Sequence, residues 1–501
     1  MSNYLPPVTF NNFVLGLNEK PSNNLIDDKE LAESVNVFVG PGYIEKRYGY
    51  VEHRNTPVSL LYDFYKNNGT IEQLAVSGTN LMKDNGTALV PVTMTNPLTT
   101  DKVKLVVYND RSMNDVVLIA DGGKLKTYNG TEVKEVTPHT PSTGDNSEIT
   151  DPGLNDMENL SAVRSLVING ERIYIVGHPT NKNRVSFSHI DPGLGFGVFD
   201  YFPATHFFDL AVDDNDEIVD LELFRQGVAV FCKRSLWMIY GNGRTANDYQ
   251  ITRINVPNGC IAPGSIKRVG NSIFYLSDNH IYALTSTDQE YVSANVTSEN
   301  ITNTLNSISL ADKEKAVATF FDDKYYLSFP SGLTVVFDNL IGNWTVFTNI
   351  KAKTFLNRSG VLYFGGEKVY KFDKNVFNDD GEPIAAKIVL KNMDFGFQVQ
   401  DKRFRRMWIV AKQYIEPTST YRVSAVIDYV KVNIDNIETD QSLVWGEGTW
   451  GKSFWGFKEV VKNRLYLGKR GTNFQLVIEN DSLDQPFTFY GVTFEYAVKR
   501  A

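Results

Sequence analysis

Asn271-Ser272-Ile273-Phe274-Tyr275-Leu276-Ser277-Asp278-Asn279-His280-Ile281-Tyr282-Ala283-Leu284 reads as a short apolar strand, a tight polar turn and a second apolar strand. Tyr325-Tyr326-Leu327-Ser328, the turn Phe329-Pro330-Ser331-Gly332 and Leu333-Thr334-Val335-Val336-Phe337 repeat the phrase. Looser copies start near Ile71, Val116, Ile173, Val228 and Val361. A weakly self-similar all-β unit recurring at roughly 40 to 50 residues is the mark of a propeller.

Working outward, each copy follows another strand-like run, such as Leu221 to Phe224, Ser265 to Val269 or Ala316 to Phe321. The joining turns are Asn169-Gly170, Gln226-Gly227, Gly270-Asn271, Asp322-Asp323 and Ser359-Gly360, several of them suited to the positive φ of two-residue hairpins. Fourth strands are legible at Thr131 to Val136, Gln250 to Ile254 and Trp344 to Phe347. Four strands make a blade. The expected fold is therefore all-β: a β-propeller of six or seven blades with a β-sandwich-like platform domain. A series of sandwich hairpins is the alternative reading of the same spacing.

A chain of 501 residues is too long for one ordinary core. From about Ile384 the phrase disappears and longer alternating strands take over, as in Val492-Thr493-Phe494-Glu495-Tyr496. The expected organisation is residues 1–50 joining a platform, 51–383 forming the propeller and 384–501 forming the sandwich, with Asn378 to Pro383 as linker. Pro6, Pro7, Pro21 and Pro41 suit the first segment to adding strands to a sheet formed by the other end. Helix signals are few. One follows Ser298, where Val296, Ile301, Leu305 and Ile308 recur at helical spacing, and a second is expected from about Asp28 to Val35.

No window resembles a signal peptide or a membrane span, so the sequence predicts synthesis in a cytoplasm and no membrane anchor. Cys232 and Cys260 are too few for a disulfide framework and read as buried thiols. The net charge of −9 opposes tight gripping of nucleic-acid phosphates. His53, His139, His178, His189, His206 and His280 form no set at metal-ligand spacing. The acidic run Asp213 to Glu217 lacks the glycine and distal Glu of a calcium loop, and Gly241-Asn242-Gly243 opens no helix. No catalytic residue, metal or cofactor is expected, and the chain is read as a non-enzyme.

Two clusters offer candidate partner surfaces. Trp445, Trp450 and Trp455 lie five apart in a Gly-rich stretch, as a stacking or contact surface or as rings folded back over the end of the sandwich. Lys402-Arg403-Phe404-Arg405-Arg406 read as a strand places Arg403 and Arg405 on one face and Phe404, Arg406 and Trp408 on the other. It offers a contact for DNA or an acidic neighbour, or a guarded sheet edge.

Gly16-Leu17-Asn18, then Leu31, Glu33, Asn36-Val37, Gly42 and Lys46-Arg47-Tyr48-Gly49 resemble the opening of tail hub or nozzle proteins of short-tailed bacteriophages, the packaged-DNA stabilisation family. Gly259 to Ile266 ahead of Asn271 to Leu276, Met393-Asp394-Phe395-Gly396, the basic run from Lys402 and the stretch from Phe474 to Gly491 extend the resemblance over most of the chain. It implies a structural virion protein in a homohexameric ring below the portal and the adaptor, or head-to-tail connector. Such a ring extends the DNA channel, retains packaged DNA for ejection and anchors tail fibres, spikes or a plug protein. Double-stranded DNA would pass through its lumen without sequence-specific binding. Six copies at −9 each give a formal charge near −54, so acidic walls would let DNA slide. A carbohydrate-binding or receptor-binding propeller is the other functional reading.

Overall fold

The computed structural model describes residues 3–19, 25–139, 155, 160–191, 194–210, 216–241, 248–256, 258–286, 292–414, 419–438 and 460–499. Seven antiparallel sheets of the propeller type follow one another. Blade 1 is Leu60–Tyr65, Ile71–Ser77, Asn80–Asp84 and Leu89–Pro91. Blades 2 to 6 occupy 104–135, 165–209, 218–254, 267–296 and 317–347, each with four meandering strands. Blade 7 takes Thr354–Arg358, Val361–Gly365 and Val369–Asp373 from late in the chain and its fourth strand, Gly49–Arg54, from the beginning.

The seven phrases seen in the sequence open on the second strands of these seven blades and run into the third, so Ile71 and Val361 belong to different blades and the count is seven rather than six. Two-residue turns with positive φ join first to second strands at Gly270-Asn271, Asp322-Asp323 and Ser359-Gly360. In blade 4 the turn is Arg225-Gln226, one residue earlier than expected, because Gly227 pairs with Phe224.

Closure is visible in the apolar packing. Every neighbouring pair of blades has its own buried cluster: Leu74 with Val117 between blades 1 and 2, Leu118 with Ile173 between 2 and 3, Val185 with Leu221 between 3 and 4. Phe231 and Tyr275, Phe274 and Tyr325, and Tyr326 and Phe364 serve the next three. The seventh, with Leu61 and Ala75 against Val369, joins blade 1 to blade 7 and completes the ring. Such a ring leaves only short sheet edges exposed.

The platform is two sheets packed face to face. One orders Val460–Gly471, Lys402–Lys412, Thr488–Val498, Tyr43–Lys46 and Val37–Gly40, with Asn3–Tyr4 and Val8–Phe10 also paired to Thr488–Val498. The other orders Glu30–Val35, Ala386–Leu390, Phe474–Asn480, Thr420–Ile427 and Val430–Glu438. Phe404, Met407, Ile409, Phe489 and Phe494 from the first meet Leu31, Ile388, Val423 and Leu476 from the second.

Two local expectations are corrected. Residues 28–35 form no helix: Glu30–Val35 is a strand, because its Leu31, Ser34 and Val35 backbone completes a sheet between blade 6 and Ala386–Leu390. Paired on both edges, the segment makes ladder bonds that outweigh helical spacing over so short a stretch. Asn378 to Pro383 is no free linker but a hairpin docked on Gly49–Arg54. The helical signal after Ser298 gives a 3-10 turn Glu299–Ile301 and the helix Thr302–Asn306.

Candidate functional site

Lys46-Arg47-Tyr48-Gly49 lies where the platform becomes the propeller, and each residue has a packing role. The Arg47 guanidinium is buried and its donors are all engaged. Its Nη1 and Nη2 donate to Asp379 Oδ1 and Oδ2 at 2.8 and 2.6 Å, its Nε to Asn36 Oδ1 at 2.9 Å, and its remaining hydrogens to the carbonyls of Tyr48 and Thr348. Five N–H groups thus meet five acceptors in a fork geometry that lysine cannot copy. Asn36, at φ 54, passes the network on through Nδ2 to Thr348 Oγ1 and the Ala385 carbonyl. One ion pair therefore ties the N-terminal segment, blade 6, the 378–383 hairpin and the sandwich. A Cβ on Gly49 would sit 1.7 Å from the Asn378 carbonyl oxygen, so only glycine lets the hairpin dock. Tyr48 packs its ring between Phe38 and Phe372. The Lys46 ammonium donates to Asn480 Oδ1 at 2.7 Å, and burial pulls its pKa down to about 8.

The other stretches carrying the family resemblance are equally structural. Gly16, at φ 66, brings the backbone against Asn343 and Trp344, and Leu17 enters the cluster between blades 5 and 6. Glu33 pairs with Lys387. Met393 exchanges backbone hydrogen bonds with Phe474, and the Phe395 ring packs on Phe494 and Tyr496. The N-terminal stretches thus meet the joint between platform and propeller, while Met393 and Phe395 pack within the sandwich.

Of the sequence-derived surface residues, Trp445, Trp450 and Trp455 lie outside the described residues. Arg403, Arg405 and Arg406 lie on Lys402–Lys412 beside Val460–Gly471, but a β-bulge between Phe404 and Arg406 shifts the alternation. Phe404, Met407 and Ile409 face the core, so Arg406 and Trp408 share the solvent face with Arg403 instead of lying opposite it. Arg406 and Arg464 flank the Tyr466 ring at 5.6 and 4.7 Å, and Arg406 lies 3.7 Å from Glu495. The contribution of Val460–Gly471 to this face was missed in the sequence, although Lys462, Arg464, Lys469 and Arg470 with no intervening acid signal it.

Elsewhere the polar groups serve the ring itself. Lys104 of blade 2 donates to Ser165 of blade 3 and to Asp220 and the Leu221 carbonyl of blade 4, bridging three first strands. Both cysteines are buried free thiols pushed up to about 12 by burial. In blade 3, His206 stacks on Phe187 at 4.7 Å with His189 6.3 Å away and the Arg172 guanidinium over the same Phe187 ring. Burial, followed by Arg172, holds both imidazoles near pKa 4 and hence uncharged at neutral pH. Of the acidic run, Asp216 accepts from the Arg234 and Ser235 groups and Glu217 from Arg164, which anchors the turn after blade 4's second strand. Among the described residues there is no cluster of three or more His, Cys, Asp and Glu able to hold a metal ion. Also among them, no helix is long and apolar enough to cross a membrane.

No protein-family model and no curated protein matches the sequence. Among solved structures, the chain is similar to the extracellular domain of a one-component-system protein from B. thetaiotaomicron, at 9% identity and TM-score 0.43 over 92% of this chain and 62% of that one. It is also similar to BamB from Moraxella catarrhalis, at 10% identity and TM-score 0.37 over 74% and 97%, and to the Pan2 WD40 domain of Neurospora crassa, at 12% identity and TM-score 0.37 over 66% and 95%. The assignment as a seven-bladed β-propeller protein with a sandwich platform rests on the strand pairing and the seven inter-blade cores described above.

Proposed function

We propose that this chain is a structural tail hub or nozzle protein of a bacteriophage, acting as a ring of six copies below the portal and adaptor. In that ring the platform faces the adaptor, the propeller buttresses the outside and carries fibres, spikes or a plug, and packaged DNA slides through the lumen. What supports the reading is the sequence resemblance together with one observation. The residues that carry the resemblance come from both ends of the chain, and those near Asn36, Arg47 and Asp379 act as one joint. Such a joint would fix the platform against the propeller, as a two-part ring protein requires. The side chains of the joint hold shape.

Mass in solution tests the proposal. Sedimentation of the full chain alone and with a dodecameric phage adaptor is expected to give a hexamer in at least one of the two conditions. A persistent monomer in both, particularly one that binds or cleaves glycans, overturns it in favour of the carbohydrate-binding reading.

A further inference from the structure

The outer face of the first platform sheet is cationic. Strands Lys402–Lys412 and Val460–Gly471 hold nine Lys and Arg and no Asp or Glu. Their register sets Arg403 beside Arg470, Arg406 beside Tyr466, Trp408 beside Arg464 and Val410 beside Lys462. Met407, Ile409 and Leu465, which alternate with these, face the sandwich core, so the five cations share the solvent side. Arg403, Lys462, Arg464 and Arg470 are exposed and Arg406 is half-buried. From Lys462 to Arg470 the row is about 27 Å long, at about 3.4 Å per residue.

The face is held in place by its own sheet. Lys402–Lys412 is laddered on both sides, to Val460–Gly471 and to Thr488–Val498. The Arg406 and Arg464 guanidiniums lie 5.6 and 4.7 Å from the centre of the Tyr466 ring, and Arg464 also donates to the Tyr466 hydroxyl. Side chains ordered in this way lose less entropy on binding. The acid that meets the row is Glu495, 3.7 Å from Arg406. Among the described residues, Arg403, Lys462 and Arg470 have no acidic partner. Guarding of a sheet edge accounts for cations on Val460–Gly471, which ends its sheet. It does not account for Arg403 and Arg406, which sit on an interior strand.

We infer that this face is a sequence-independent contact for the phosphate backbone of double-stranded DNA, an inference that rests on the tail-hub reading for its choice of duplex DNA. Four of the five cations are Arg, whose guanidinium fork fits two phosphate oxygens. B-form DNA places a phosphate on each strand every 3.4 Å or so, and the row therefore spans about eight base-pair steps, enough to meet a phosphate with each cation. An acidic segment added as a further strand would pair along the edge of Val460–Gly471 and pass Arg403 and Arg406 by. The net charge of −9 opposes binding elsewhere on the chain, but at about 0.1 M salt charges more than about 10 Å away are largely screened. Contacts made to the backbone alone let a protein and DNA slide past each other.

Fluorescence anisotropy tests this, with two labelled duplexes of about 20 base pairs and unrelated sequence titrated with the full-length chain at about 20 and about 80 mM salt. The face variant combines Arg403→Gln, Lys462→Gln and Arg470→Gln. A charge-matched control combines Lys124→Gln, Lys315→Gln and Lys353→Gln, three exposed propeller lysines. Circular dichroism reports that each variant is folded. Five phosphate contacts give a salt slope of about −4.5 and two give about −1.8, so the fourfold rise in salt should weaken binding about 500-fold in the parent and about 12-fold in the face variant. The control should follow the parent, and the two duplexes should bind alike. No binding at the lower salt, or a control that loses as much as the face variant, overturns the inference whether or not the chain forms a ring. Tighter binding of poly-glutamate than of either duplex overturns it in favour of an acidic protein. A chain that binds DNA as expected yet sediments as a monomer with and without the adaptor overturns the ring and keeps the contact.

Discussion

Replacing Asp379 with alanine leaves the Arg47 guanidinium in place with two of its five hydrogen bonds gone and no counter-charge. Both partners of that pair are 1% exposed, so water does not enter to replace the carboxylate. Breaking a buried ion pair on one side costs about 3–5 kcal/mol, and two stranded donors at about 1–3 kcal/mol each give the same range. Against a total stability of about 5–15 kcal/mol for a typical domain, that is a large share. Arg47→Met with Asp379→Leu removes both charges, though the Tyr48 and Thr348 carbonyls then lose the guanidinium and Asn36 Oδ1 keeps only the Thr348 N–H. The double variant is accordingly expected to be less destabilised than Asp379→Ala, with a coupling of at least about 2 kcal/mol between the two sites. Urea unfolding followed by circular dichroism measures the free energies, and limited proteolysis within 378–383 reports whether the hairpin has come free. If Asp379→Ala stays within about 1 kcal/mol of the parent, or the two single effects simply add, the account of the joint is wrong.

Gly49→Ala is expected to destabilise by about 2 kcal/mol or more because of the Asn378 carbonyl, whereas Gly42→Ala, with nothing near its Cβ, should lose only about 1 kcal/mol from its φ of 83°; thermal melts of the two compare steric clash with backbone strain. Acidification should weaken blade 3. His189 and His206 have folded-state pKa values near 4, below the unfolded 6.5, so the unfolded chain binds more protons between those values and stability falls as pH drops from 6.5 to 4, by at most about 3 kcal/mol per imidazole. His206→Phe, which keeps the stack on Phe187, should flatten the fall in melting temperature across that window, and an unaltered slope would contradict the assignment. A chain beginning at Asn55 lacks the fourth strand of blade 7 and five of the twelve platform strands, and is expected to lose its cooperative thermal transition; retention of a sharp melt would show that blade 7 closes without Gly49–Arg54.

The blades were legible because their signal is local. An apolar run of five residues, a short polar turn and another run determine an antiparallel pair whatever lies elsewhere, as at Ser272–Leu276 and Ile281–Ser286. The fourth strand of blade 7 was not legible as such, since Gly49–Arg54 pairs with residues more than 300 positions away and nothing near it specifies the partner. Glu30–Val35 was misread for the same reason: its Leu31 and Val35 spacing fits a helix, and only its two remote neighbours make it a strand. The basic face was half visible. Lys402 to Arg406 drew attention by density, but one bulge inverted the side assigned to Arg406, and the matching cations at Lys462 to Arg470 are spread too thinly to stand out.

The propeller is an insertion. Platform strands up to Tyr43–Lys46 precede it and those from Ala386–Leu390 follow it, while Gly49 and Asn378 at its two ends lie side by side. On a ribosome adding about 5–20 residues each second, Leu31, Val37, Val39 and Ile44 would emerge and then wait roughly 20 to 70 seconds for the strands that cover them. Blade 7 can close before that, since its last strand is complete by Asp373. Folding of this chain therefore has a built-in order, propeller before platform, and the early apolar segment is the part exposed to aggregation or chaperones during synthesis.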